Sequence, residues 1–138
     1  MKLLKSFKIL SLVVQIISFG VFLIPVKEAL ADGNFSNSCT NISLEARDYS
    51  NTAILRADCK RRNQSVNKAS INLNDYIINN DGRLAWQNGG GFQQSCKNSV
   101  GVTTIYSFCN KRDGNLNLGF LNLNERIANI DGELKYIP

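Results

Sequence analysis

An all-β domain of two pseudo-equivalent halves, stapled by two disulfides, is the fold that three observations predict. The sequence repeats itself, four cysteines flank the repeated segments, and no stretch after residue 31 shows a long apolar stripe of 3.6-residue period. Short helical turns are expected to join the small sheets and hairpins.

The N-terminus stands apart from that domain. Lys2, Lys5 and Lys8 precede an apolar run from Ile9 to Ile24 and then Ala29-Leu30-Ala31. A basic start, an apolar middle and small residues before a cleavage point make a secretory signal peptide, so residues 1-31 are excluded from the fold. A retained anchor is the competing reading, because the run is only a little short of a spanning helix, but Gln15, Ser18 and Pro25 weaken it. The exported domain is then 32-138, extracellular or periplasmic, with no stable membrane association after cleavage.

That removal also changes the charge argument. Four of the sixteen basic side chains and one of the eleven acidic ones lie before residue 32, which leaves 12 against 10. This balance carries no nucleic-acid footprint. Histidine is absent throughout. Its absence excludes Ser-His-Asp and Cys-His catalysis, and zinc would need an all-cysteine site for which the spacings are unsuited.

Displacing the chain by 50 aligns Cys59–Gln87 with Cys109–Ile137. Arg62 matches Arg112, Asn72-Leu73-Asn74 matches Asn122-Leu123-Asn124, Ile77 matches Ile127 and Asn79 matches Asn129. Asp81-Gly82 matches Asp131-Gly132, Leu84 matches Leu134, and Trp86 meets Tyr136. Upstream the offset becomes 57, where Phe35 through Cys39 matches Phe92 through Cys96, so the first copy is longer between its cysteines. Repeat one spans about 33-87 and repeat two about 92-137.

Four cysteines admit three pairings. If each repeat is one structural unit, the bonds are Cys39-Cys59 and Cys96-Cys109, whereas a swapped connectivity breaks the equivalence of the copies. In the chain-entropy account each short loop so closed contributes about 3 kcal/mol, a large share for a domain of this size.

The local elements follow in order. Thr52–Ala57 and Val102–Ser107 have strand composition and are expected to end near the second cysteine of each copy. Leu73-Asn74-Asp75 and Leu123-Asn124-Glu125 read as single helical turns. Asp81-Gly82 and Asp131-Gly132, set between Ile77 and Leu84 and between Ile127 and Leu134, are hairpin turns, because a primed turn needs positive φ. Phe35, Phe92, Trp86 and Tyr136 are expected in the core. Asn34, Asn41 and Asn63 also begin N-glycosylation patterns, relevant only in a eukaryotic secretory pathway.

The phrase Ile71-Asn72-Leu73-Asn74, the hairpin Asn79–Trp86 and its second version Asn129–Tyr136 resemble the cyanovirin-N homology (CVNH) domain, and the match runs from about Gly33 to Tyr136. The resemblance implies a lectin with two pockets at opposite ends, each built from both repeats. Such a lectin binds high-mannose oligosaccharides or glycoproteins, especially terminal α1-2-linked mannose, without metal or cofactor. It is a monomer, or a dimer that swaps halves through a linker, here Gln87–Gly91.

Carried over position by position, pocket one takes Asn34, Asn37, Ser38, Lys60 and Arg62 with Asn129, Ile130 and Asp131. Pocket two takes Asn79, Asn80, Asp81, Gly90, Gly91, Gln94, Ser95, Asn110, Lys111 and Arg112. Amides, hydroxyls, carboxylates and guanidinium groups suit vicinal sugar hydroxyls, which both donate and accept. Three positions depart from the family pattern: Ile78 and Lys60 stand where acidic residues are usual, and Gly89-Gly90-Gly91 replaces a linker with a polar residue. Fewer carboxylate acceptors mean fewer charge-assisted bonds to hydroxyls.

Two other function classes compete. A structural or protein-interaction domain would keep this fold with altered or lost sugar affinity. A carbohydrate-cleaving enzyme needs two carboxylates flanking one bond; Asp81 and Asp131 are the obvious pair, yet repeat symmetry assigns them to different pockets. The expectation is therefore a binding protein and not an enzyme.

Overall fold

The computed structural model describes residues 33–138, so the expected secretory segment lies outside the described residues. Ten strands occur in chain order. They are β1 (Cys39–Ala46), β2 (Ala53–Lys60), β3 (Val66–Asn72), β4 (Ile77–Asn80) and β5 (Arg83–Trp86), then β6 (Cys96–Gly101), β7 (Thr104–Asn110), β8 (Leu116–Asn122), β9 (Ile127–Ile130) and β10 (Glu133–Tyr136). The antiparallel sheets β1-β2-β3 and β6-β7-β8 have three strands each, and β4-β5 and β9-β10 are two-stranded hairpins.

Alternation explains the central strands. β2 turns Ala53, Leu55, Ala57 and Cys59 inward, and β7 does the same with Ile105, Ser107 and Cys109. Both run beyond the segments expected, to Lys60 and Asn110, because the second cysteines sit inside the ladders. Cys59 is registered against Cys39 and Cys109 against Cys96, and pairing with β3 and β8 continues past them. Val102 and Thr103, expected in a strand, instead form the bend between β6 and β7. The disulfides are Cys39–Cys59 and Cys96–Cys109, as repeat equivalence requires.

Leu73–Asp75 and Leu123–Glu125 are each one turn of 3-10 helix. Asn72 and Asn122 cap them by accepting the backbone N–H of Asn74 and Asn124 at 3.3 and 3.1 Å. A side-chain acceptor here satisfies a helix-start N–H that has no partner within the turn.

The two repeats exchange their hairpins. β9-β10 packs against β3, and β5 of the other hairpin packs against β8, so each lobe combines one repeat's sheet with the other's hairpin. Asn129 fastens the first junction, its Nδ2 donating to Ser38 Oγ at 2.8 Å and to the Lys60 carbonyl at 2.9 Å. Asn79 fastens the second, donating to Ser95 Oγ and the Asn110 carbonyl, both at 2.8 Å.

A continuous core runs through both lobes. Phe35 and Phe92 are fully buried at its centre with Leu55, Leu73, Ile77, Ile105, Leu123 and Ile127. Trp86 and Tyr136 correct the expectation: they are half-buried and pack on the core's edge. They end their hairpins, where Tyr136 stacks on Tyr76 with centroids 4.7 Å apart and tilts against Trp86 at 5.7 Å. The indole N–H needs an acceptor and finds Glu125 Oε2 at 3.2 Å.

The longer first copy spends its extra residues on the second. In the loop after β1, Tyr49 N–H donates to the Cys96 carbonyl and Ser50 N–H to the Gln93 carbonyl, each at 3.1 Å. Asp48 Oδ1 accepts Asn98 N–H at 2.7 Å. Gln93, fully buried, donates through Nε2 to the Arg47 carbonyl and accepts Ser99 Oγ–H, while its backbone N–H reaches Asn74 Oδ1. These bonds meet the requirement that buried polar groups be paired.

Gly89, Gly90 and Gly91 between the repeats all have positive φ, and a Cβ at Gly90 would overlap the Asn74 carbonyl. Gly90→Ala should therefore cost about 2 kcal/mol or more, whereas Gly89→Ala, which meets nothing within 4 Å, should cost only the strain of about 1 kcal/mol. Denaturant melts of the two variants check the order, and equal losses would refute the close packing of Gly90. Asn79→Ala and Asn129→Ala should each cost about 1–3 kcal/mol by stripping the hairpin junctions. An unchanged midpoint in either would show that the amide does not pin its hairpin.

Candidate functional site

Each hairpin ends in an Asx-Gly turn with both residues at positive φ, 51° and 87° for Asp81-Gly82, 52° and 87° for Asp131-Gly132. That is the primed geometry that matches the strand twist. Asn79 and Asn129 steady the turns by accepting the N–H of Gly82 and Gly132 at 2.7 and 2.8 Å.

The turns then clamp the loop that follows the second cysteine of the opposite repeat. Asp131 Oδ1 accepts Arg62 N–H, and Asp81 Oδ1 accepts Arg112 N–H, both at 2.9 Å. From the other side Asn67 and Asn117 donate to the Gly132 and Gly82 carbonyls at 2.9 and 2.8 Å. One polar junction thus appears twice, its acidic turn from one repeat and its basic loop from the other.

An open cleft lies at each junction. The first, about 340 Å³, is lined by the expected Ser38, Lys60, Arg62, Asn129, Ile130 and Asp131, joined by Arg61 and Gln64. Asn34 and Asn37 lie outside that lining. Asn34 forms a bridge with Ala128, its N–H donates to the Asn124 carbonyl, and its own carbonyl accepts Asn37 N–H.

The second cleft, about 410 Å³, is lined by the expected Asn80, Asp81 and Lys111 together with Arg83 and Asn117. Asn79, Ser95 and Asn110 stand behind it in the hydrogen-bonded junction, and Arg112 is held through its backbone N–H with its side chain exposed. Gly90 and Gly91 are placed elsewhere. Gly91 N–H donates to the Asn74 carbonyl at 2.6 Å, and Gln94 turns to Asn51 at 2.5 Å. The glycine linker packs on repeat one because the absence of Cβ atoms permits that approach.

Arg61, Gln64, Arg83 and Asn117 were not among the expected site residues. For Arg61 and Asn117 the signal was present in the repeat itself, since the offset of 50 matches Asn67 with Asn117 and Arg61 with Lys111. Arg83 sits immediately beyond its turn and carries no such mark, because Glu133 occupies the equivalent position.

The chemistry is that of a polar surface with dense donors and acceptors. Lys111 pairs with Asp113 at 3.4 Å; that exposed carboxylate is held below its ordinary pKa chiefly by the Asn115 backbone N–H, with Lys111 adding attraction. Asp81 and Asp131 serve different junctions and share no cleft. All four cysteines are consumed in disulfides. Among the described residues no group of three His, Cys, Asp or Glu side chains is gathered for a metal.

Known proteins supply the comparison. The model of the CVNH domain matches residues 35–135. The solution structure of a CVNH protein from Gibberella zeae is 31% identical, with a TM-score of 0.66 over 77% of this chain and 99% of that one. Microvirin, solved as a complex with mannobiose, is 26% identical with a TM-score of 0.60 over 75% and 98%. The N. crassa CVNH structure is likewise 26% identical, with a TM-score of 0.61 over 75% and 97%. With the duplicated fold, the disulfides and the crossed hairpins already in place, the chain belongs to the CVNH family, which is a family of lectin fold and not of enzymes.

Proposed function

We propose that this protein is a secreted lectin that binds mannose-type oligosaccharides, with α1-2-linked mannose as the preferred unit, through two metal-independent clefts. The observation that carries this reading is the duplicated junction at Arg62 with Asp131 and at Arg112 with Asp81. A sugar presents adjacent hydroxyls that donate and accept at fixed spacing, and each cleft offers carboxylate, amide and cationic groups on a braced turn. Bracing matters because groups already held in place lose little freedom when a ligand arrives.

Microvirin's mannobiose complex supports the choice of sugar. Lys60 lines the first cleft, at a position where the resemblance implies an acid, so hydroxyl binding there falls to Asp131, the amides and the arginines. Open polar clefts of this kind bind weakly one at a time. Two on one molecule gain through effective concentration on a ligand or surface that spans them.

Titration of oxidised residues 32–138 with an α1-2-linked dimannoside, followed by amide NMR, tests the reading. Two separate clusters of shifting peaks are expected, around Arg62 with Asp131 and around Asp81 with Arg112. Arg62→Ala and Lys111→Ala should each weaken one cluster about 10-fold or more and leave the other, because each removes a cationic side chain that lines its own cleft. If millimolar dimannoside moves neither cluster, the mannose reading fails. If both variants lose thermal stability without changing either titration, the site assignment fails. Export follows from the N-terminal sequence, and N-terminal sequencing of secreted material should start at Asp32; an intact N-terminus would refute cleavage there.

A further inference from the structure

The outward faces of the two three-stranded sheets have diverged in character, although exposed Val66 stays apolar at the position matching Leu116. On β1-β2-β3 the outward positions include Arg56, Asp58, Lys68 and Ser70, with Arg56 paired to Glu45 at 3.1 Å. At the equivalent positions of β6-β7-β8 stand Tyr106, Phe108, Leu118 and Phe120. Register sets Tyr106 opposite Phe120 and Val100, and Phe108 opposite Leu118, while Leu116 extends the row along β8. These six side chains therefore form one continuous face. Their exposure runs from 42% for Phe108 to 68% for Phe120, and no described residue covers them.

Such a face is large for a domain of this size. At ordinary side-chain areas it amounts to roughly 600 Å², the upper end of what a monomer leaves in one apolar patch. Together with its rim it approaches the ~800 Å² that each partner contributes to a standard stable interface. The first repeat shows that the fold itself does not require it, since the same sheet there folds with a charged outer face.

Three features select a second copy of this chain as the occupant. In register the face carries one charged side chain, Lys97 opposite Phe108, and Arg83 lines the groove beside it; two cations beside six apolar side chains leave the face predominantly apolar, which suits an equally apolar partner surface. Phe120, its most exposed member, stands beside a groove of about 370 Å³ lined by Leu84, Leu118, Gly119 and Phe120 itself, with Arg83 and Asn117 at its polar side. A knob and a groove side by side on one face are what a two-fold axis needs, because each copy then inserts the knob and receives it. Sheets also pack face to face through interdigitating apolar side chains. We propose that β6-β7-β8 of one copy packs on β6-β7-β8 of another, giving an isologous dimer that leaves the linker and both crossed hairpins intact.

Sedimentation velocity on oxidised residues 32–138, which contain the whole core and match solved domains over nearly their full length, tests this from micromolar to millimolar concentration. A rapidly reversible dimer is expected. The double variant Leu118→Lys, Phe120→Ser installs the residues that repeat one carries at these positions, and amide NMR verifies its fold. Its dimer should weaken at least 10-fold. A wild-type chain that stays monomeric throughout overturns the proposal, and so does a dimer that survives the double variant. Wild-type binding to neutral phospholipid vesicles that protects Tyr106 and Phe120 while no dimer forms would assign the face to a membrane and overturn it equally. None of these readouts depends on sugar, so this proposal and the lectin reading fail separately.

Discussion

Everything in this molecule depends on the hairpins having changed partners. Each repeat sends β4-β5 or its counterpart β9-β10 away from its own sheet and onto the other, and a side-chain amide, Asn79 or Asn129, crosses the seam to a serine hydroxyl and a backbone carbonyl. The buried aromatic pair Phe35 and Phe92 precedes the first cysteine in each copy and fills the core beneath. Neither repeat can bury its apolar face alone, so the two fold as one body. The crossing also creates the clefts, because an acidic turn from one repeat meets a basic loop from the other only if the hairpins cross.

Much of this was legible in the sequence, and the repeat is the reason. Two copies of Asp-Gly between apolar residues fixed the hairpins, and two copies of Asn-Leu-Asn fixed the capped turns. The disulfides followed from asking that the copies be equivalent. The strands that escaped notice were the outer ones. β8 defeats an alternation argument because Leu116, Leu118 and Phe120 face outward while Gly119 is buried, the reverse of an ordinary half-buried strand. β3 offers too few apolar residues, with only Ala69 and Ile71 buried.

The site was legible where the backbone makes it and less so where side chains arrive from a distance. Asp81 and Asp131 lie on the turns, Asn129 on the strand that leads into one, and Lys111 on a loop tied to the other, and repetition marks all of those segments. Arg83 and Asn117 enter the second cleft from separate strands, which only the packing of β5 on β8 brings together. Gly90 and Gly91 were drawn toward that cleft by resemblance. Their positive φ values and missing Cβ atoms are used instead to seat the linker against Asn74 and Asp75.

That linker distinguishes two ways in which a second copy could associate. In an exchange of halves every bond between repeats re-forms between chains, including the clasp from the loop after β1 onto β6, so the energetic difference from the monomer is confined to Gln87–Gly91. There the closed chain gains Gly89 N–H to the Asp75 carbonyl, Gly90 N–H to the Gln87 carbonyl and Gly91 N–H to the Asn74 carbonyl. An extended linker gives these three bonds up and leaves their groups to water, which favours the closed form. Pairing through the apolar sheet face disturbs none of them. It also sets two copies of the second cleft close to the shared surface, since Arg83 and Asn117 line both that cleft and the groove beside Phe120. A bound ligand and a docked copy would then compete for, or jointly order, the same two side chains, and association and recognition become linked through Arg83 and Asn117.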